Sequence, residues 1–238
     1  MPHALVVVVL EPGWMDHAPT AASGGNGDPT GIQRGLLRDA VFLKLLENVL
    51  RGVYRKGQRL RLDDIARDMG VSRTPVREAL VPLESLRLVS VQRYVGVVVA
   101  PWTVAQMVER LRLARAVLGD PPVGGPAEPG AFDAWLLRDC RSEAGALVEL
   151  GTWCLRRRGS MVSADWLFAQ RPVLDTFFTD DVAAANGIDA VVGRRVRAER
   201  VERAVSAAER DDLDGCAAAL VELASDLIAL PGRFRSVA

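Results

Sequence analysis

Histidine is almost missing from this chain: the 238 residues hold two, His3 and His17. Everything after residue 17 therefore lacks both the usual general base and the commonest nitrogen ligand. Cysteine is scarce as well. Cys140, Cys154 and Cys216 show no spacing pattern, which excludes a disulfide framework and suits small core residues of a reduced, cytoplasmic protein. No apolar run is long enough to span a bilayer. The brief Leu5–Leu10 stretch has no basic residue before it, so a signal peptide is not expected. A glycine-rich phosphate loop and a metal-ligand cluster are also wanting, and no histidine can serve a serine or cysteine as base, so an enzyme is not expected. Asp211, Asp212 and Asp214 read as a helix start. Net charge is zero, with 30 Lys and Arg against 30 Asp and Glu.

That zero hides a split. Residues 33–101 carry 13 Lys and Arg against 7 Asp and Glu, a net of +6, whereas residues 102–238 carry 17 against 20. A basic block is what phosphate neutralisation needs. Inside the block, Arg61–Leu80 reads as two short helices joined by a tight turn. Leu62, Ile65 and Met69 share one face of the first helix. Gly70 stands where the chain must turn with positive φ. Ser72 or Thr74 can cap the second helix, and Pro75 suits its first turn. Val76, Leu80 and Leu83 form a buried stripe and leave Arg73, Thr74 and Arg77 at the exposed leading end. Arginine there can contact both O6 and N7 of one guanine in a major groove. Two arginines alone would read as solvated surface charge; the turn, the cap and the downstream hairpin carry the DNA reading.

Ahead of this unit a helix is expected from about Gln33 to Val53, with Phe42, Leu45, Leu46, Val49, Leu50 and Val53 on its core face. Gln58–Leu60 reads as a short strand. Behind the unit, Leu88–Val91 and Val97–Val99 are rich in β-formers, with Arg93–Gly96 between them. This predicts a hairpin wing in which Arg93 meets phosphate or the minor groove and Gly96 allows close backbone approach. Tyr94 belongs either to that tip or to the core.

Residues 33–101 resemble the winged helix-turn-helix of the GntR family of bacterial transcription regulators. The most specific segment is Gly70-Val71-Ser72-Arg73-Thr74-Pro75-Val76-Arg77-Glu78-Ala79-Leu80, supported by Gly57–Leu60 and by Leu88 through Gly96. The remainder resembles a divergent ligand-sensing domain of the FadR/FCD subgroup. The resemblance implies a mainly α protein: a winged helix-turn-helix of three helices and a small β-hairpin, then an all-α bundle of about six helices. It implies a homodimer on double-stranded, palindromic operator DNA, answering to a small effector, with no membrane. The candidate DNA-contacting residues are Arg61, Ser72, Arg73, Thr74, Arg77, Arg93 and Gly96. Two departures stand out. Val81-Pro82 interrupts the recognition helix, where a kink or an early end is expected because proline removes a hydrogen bond and clashes with the preceding turn. Arg87 occupies a site where the family has glycine, and costs on the order of 1 kcal/mol if left-handed.

Three units are expected: a flexible arm over 1–31, the DNA-binding domain over 32–101, and an all-helical effector and dimerisation domain over 102–238. In the last, Thr103 caps a helix ending at Gly119, and residues 119–130 form a loop rich in breakers. Helices are expected over about Ala131–Arg158, Ser163–Phe178, a short segment after Thr179, Ile188–Arg210 and Leu213–Leu230. Many domains of the resembled subgroup hold a divalent metal through an Asp and three His. Here Asp165 is followed four residues later by Ala169, and the other positions fall near Val201 and Leu223. One carboxylate cannot hold such an ion, so no metal and no cofactor is expected. An organic-anion effector would be met by Arg112, Arg115 and Arg138 beside aromatics such as Trp166. Arg156-Arg157-Arg158 suits a helix C-terminus. The alternative to a sensing regulator is a winged-helix interaction protein or constitutive repressor without an effector.

Overall fold

The structure is a computed structural model and describes residues 29–94, 96–121 and 124–231. Residues 1–28 of the expected arm, with His3 and His17, lie outside the described residues. The first helix, α1 (Pro29–Leu50), begins before Gln33 and stops before Val53. Val41, Leu45, Leu46, Val49 and Leu50 are buried along it, while Val53 is exposed. The reason is Gly52, which turns the chain at a φ of 78°. The strand β1 (Arg59–Leu60) and the helices α2 (Leu62–Asp68) and α3 (Arg73–Ser85) follow. The hairpin β2 (Val89–Gln92) and β3 (Gly96–Val99) closes the unit. The three strands form one antiparallel sheet in the order β1-β3-β2, with Arg59 opposite Val98 and Gln92 opposite Gly96. Val97 and Val99 alternate inward against the helices, as a half-buried strand requires.

α3 does not end at Pro82. It runs through the proline to Ser85, because Leu80 before it and Leu83 after it are buried and hold the turn. It then stops in a Schellman arrangement: Leu88 N donates to Leu83 O at 3.0 Å, and Arg87 N to Glu84 O at 2.9 Å. Arg87 is the left-handed residue of that motif, at a φ of 61°.

The second half is helical. α4 (Val104–Gly119) starts in a capping box made by Thr103 and Gln106. After the loop comes a 3-10 turn over Ala134–Asp139, then α5 (Glu143–Arg157), α6 (Met161–Ala169), α7 (Arg171–Phe177), α8 (Asp180–Ala185), α9 (Arg194–Glu209) and α10 (Leu213–Ala229). α5 is the central helix, buried from Ala144 to Thr152 and packed on α6, α7, α9 and α10. Gly151 lets Leu167 and Leu118 reach it; a Cβ there would stand 2.8 Å and 3.2 Å from their methyl carbons.

Three expected boundaries are corrected. The expected helix over Ala131–Arg158 is broken before Glu143, because the Asp175 carboxylate takes the N–H groups of Arg141 and Ser142. The expected helix over Ser163–Phe178 is two helices meeting at Gln170, with Pro172 unable to donate in the first turn of the second. The helix expected from Ile188 starts at Arg194, because Asp189 takes the N–H groups of Val191 and Val192 and Gly193 is left-handed. The buried Arg197 guanidinium then ties this turn down by donating to the carbonyls of Ala190 and Val192. The three cysteines are buried free thiols, as expected. Arg157 and Arg158 reach beyond their own helix end to Asp211 and Asp214, which flank the Asp212 N-cap of α10.

The two halves share one hydrophobic core. Trp102 packs edge-on against Phe177 at 6.2 Å, with Lys56 over its ring. Asn186 donates to Leu50 O at the end of α1. Arg110 on α4 donates to Leu86 O at the end of α3. The first half is therefore held at the C-terminal ends of two of its helices.

Candidate nucleic-acid interface

The turn between α2 and α3 is fixed by backbone alone. Gly70 has a φ of 65°, and Val71 N donates to Ala66 O while Gly70 N donates to Arg67 O. That closes α2 and sets the leading end of α3 across it. Pro75, Val76, Ala79, Leu80 and Leu83 are buried, so the opposite face carries Arg73, Thr74, Arg77 and Val81, all exposed. Ser72 occupies the N-cap position in extended backbone but makes no side-chain cap bond. The first-turn N–H groups of the helix point to its leading end, where an anion is favoured.

The two arginines of that face differ. Arg73 is ion-paired with Asp63 on α2, although both side chains are more than half exposed. Arg77 has no ion pair among the described residues. Arg61, the N-cap residue of α2, is exposed and its side chain makes no cap bond.

At the wing, Arg93 lies over the Tyr94 ring at 5.3 Å. Tyr94 is 91% exposed at a φ of 67°, which assigns it to the tip and not to the core. Gly96 has a φ of 95°, and a Cβ there would sit 3.7 Å from Nε of Arg59. The structure thus brings Arg93, Gly96 and Arg59 to one place. Arg59 was not legible as a wing residue, since β1 and β3 pair across a long separation in sequence. Glu84 was missed too. Its carboxylate accepts from Val91 N at 3.0 Å and pins the β2–β3 hairpin to α3. No local pattern marks a helix residue that caps a strand seven positions on.

The effector candidates are not gathered. Arg112 and Arg115 lie exposed on α4, Arg115 donating to Ser225 at 3.3 Å. Arg138 is exposed over Trp135. Trp166 lines a cavity of about 400 Å³ between the two halves. The metal positions of the resembled subgroup do not fit an ion. Asp165 is engaged by Arg156 at 3.2 Å, and Ala169, Val201 and Leu223 offer no side-chain donor atom.

Residues 37–99 match the family model described as bacterial regulatory proteins, gntR family. The matched residues run from α1 through β3 and so take in the whole winged helix. Proteins of this family are DNA-binding transcriptional regulators and not enzymes. Two curated HTH-type transcriptional regulators, from Mycobacterium tuberculosis strains CDC 1551 / Oshkosh and ATCC 25618 / H37Rv, are each 33% identical over 127 residues. That stretch is 50% of this chain, and the chain spans about half the length, 51%, of the relatives it matches. A solved GntR regulator structure from Rhodococcus sp. RHA1 overlaps 87% of this chain and 99% of its own at 22% identity and a TM-score of 0.45. McbR/YncC of E. coli overlaps 84% and 99% at 19% identity and a TM-score of 0.42. The gntR match stops at Val99, so α4–α10 lie outside it. Among the described residues no helix is long and apolar enough to cross a membrane.

Proposed function

We propose that the protein is a sequence-specific transcription regulator that reads a palindromic operator as a homodimer. One observation carries this reading: Arg77 stands exposed and, among the described residues, without an ion pair on the leading turns of a helix whose opposite face is buried. A guanidinium so placed can enter a major groove with no ion pair to break. Thr74 and Arg73 on the same face, Arg61 at the start of α2, Ser72 at the N-cap, and Arg93 with Gly96 at the wing supply the flanking contacts. The homodimer follows from the geometry of half-sites, because two recognition helices about 34 Å apart read one face of a duplex and add their phosphate contacts. Residues 32–101 are the DNA-binding domain and 102–238 the effector and dimerisation domain, a divergent member of the FadR/FCD subgroup, acting in the cytoplasm.

Selection of bound duplexes from a random pool, followed by gel shift at stated salt, tests this. The expected result is an enriched inverted repeat that Arg77→Ala no longer distinguishes from other sequences. Weak and equal binding to every duplex would overturn the operator reading in favour of a winged-helix interaction module.

A further inference from the structure

Two of the three cysteines meet. Cys154 lies in the last turn of α5, and Cys216 in the first turn of α10, which packs on α5. The Cys154 thiol reaches Leu213 O of α10 at 3.6 Å. Leu213 and Cys216 stand three residues apart and so share one face of that helix, and the two thiols are hydrogen-bonded to each other. Both are buried. Arg158 completes the cluster. Its guanidinium donates to the same Leu213 O at 2.8 Å and to Asp214 at 2.5 Å. The contact makes the pair unequal. The hydrogen bond from Cys216 lowers the Cys154 pKa against the opposing effect of burial, with the Arg158 charge assisting. The same bond, together with burial, raises that of Cys216. Cys140 precedes α5, at its other end, and burial pushes its thiol up to about 12. The three thiols are therefore a pair and a bystander.

We propose that Cys154 and Cys216 form a redox site, which a hydroperoxide oxidises to a reversible disulfide that ties the start of α10 to the end of α5. Cys154 is the attacking sulfur. Its thiolate takes one oxygen of hydrogen peroxide, the O–O bond breaks, and the first water leaves with the thiol proton, giving a sulfenic acid. The Cys216 sulfur then attacks the sulfenic sulfur. The S–O bond breaks, and hydroxide leaves as a second water with the Cys216 proton. Two thiols lose two electrons in all, and the peroxide gains them. A partner already in contact closes the disulfide ahead of further oxidation. In a reducing compartment such a bond is transient, which suits a sensor. Access comes through the helix end, which opens locally at less cost than the core. The first turn of α10 is held by the Asp212 carboxylate, which accepts from Gly215 N at 2.8 Å, and Asp214 within it is exposed. The site goes beyond the DNA reading and draws nothing from it.

The test uses the full chain, reduced, then exposed to hydrogen peroxide at neutral pH without denaturant, alkylated and examined by mass spectrometry. The expected product has lost two hydrogen atoms, yields a crosslinked peptide pair holding Cys154 and Cys216, and alkylates at Cys140 alone. Dithiothreitol should return it to three alkylated thiols. Cys154→Ser and Cys216→Ser should each abolish the crosslink, and in Cys216→Ser the sulfenic acid should persist at Cys154, where dimedone traps it. Two further variants cover the case in which these fail to fold. Asp212→Ala removes the cap of α10 and should speed crosslinking about fivefold. Asn186→Ala loosens α1 and not α10, and should leave the rate unchanged. Three alkylated thiols after peroxide, a crosslink that includes Cys140, a sulfonic acid in place of the disulfide, or a crosslink that dithiothreitol does not reverse would each overturn the site. Equal acceleration in Asp212→Ala and Asn186→Ala would show that the thiols react only in the unfolded chain, and overturns it as well.

Discussion

Arg73 and Arg77 lie four residues apart on α3, and what each holds sets what each can do. Arg73 is ion-paired with Asp63, so contact with a phosphate or a base would require it to exchange one partner for another. Arg77 has no such exchange to make. Arg77→Ala is therefore expected to weaken cognate DNA by about 1–3 kcal/mol and to relax preference at one base pair. A competition gel shift checks this; equal weakening on all sequences would make Arg77 a phosphate contact. Asp175 is the residue of greatest structural consequence in the bundle. Its carboxylate accepts from Arg141 N, Ser142 N and the Ser142 hydroxyl. Burial nonetheless outweighs these bonds and raises its pKa above the ordinary 3.8. The folded protein then binds this proton more tightly than the unfolded chain does. The stability it contributes is fully present below the ordinary value and is lost as pH rises through the raised one. Asp175→Asn does not titrate there and places an amide nitrogen against backbone donors, a loss of about 1–3 kcal/mol. Melting curves between about pH 3.5 and pH 7 should show wild type ahead of the variant by a margin that narrows as pH rises. A margin that widens would refute the assignment.

At the scale of elements, α3 shows how packing overrides a local rule. Pro82 denies Glu78 O its intrahelical donor, yet the helix continues to Ser85, since Leu80, Leu83 and Leu86 are anchored in the core. Pro82→Arg restores the N–H and adds a cation close to the DNA-facing side. It should raise the melting temperature, by up to about 3 kcal/mol of stability if the clash is fully relieved, and tighten DNA binding at low salt. Unchanged melting and affinity would show that the helix accommodates proline without strain. The period of apolar residues predicted α1, α2, α3, α4 and α10 well, because each presents one stripe to one neighbour. It failed between Ala131 and Arg194, where the chain is punctuated by distant partners. Nothing near Arg141 announces that Asp175 will take its N–H, and nothing near Val191 announces that Arg197 will fold back onto Ala190.

The whole molecule is decided at the seam. Trp102 against Phe177, Arg110 on Leu86 O and Asn186 on Leu50 O join the winged helix to a bundle that could have been tethered loosely. Asn186→Ala removes the clamp on α1, at a loss of about 1 kcal/mol. Hydrogen exchange should quicken at the C-terminal turn of α1 while the centre of α5 stays protected. Exchange unchanged at α1 would mean that Trp102 and Arg110 suffice. The amino-acid sequence by itself determined the helix-turn-helix, the wing, the basic block and the helical character of the rest. These depend on contacts between near neighbours and on glycine and proline at turns, so their physics is local. Tertiary structure alone decided which arginines are without an ion pair among the described residues, where Arg59 and Glu84 sit, and that a cavity opens beside the end of α3. Those outcomes depend on pairs of residues far apart in the chain, and no local pattern records which distant group a charge or an N–H will meet.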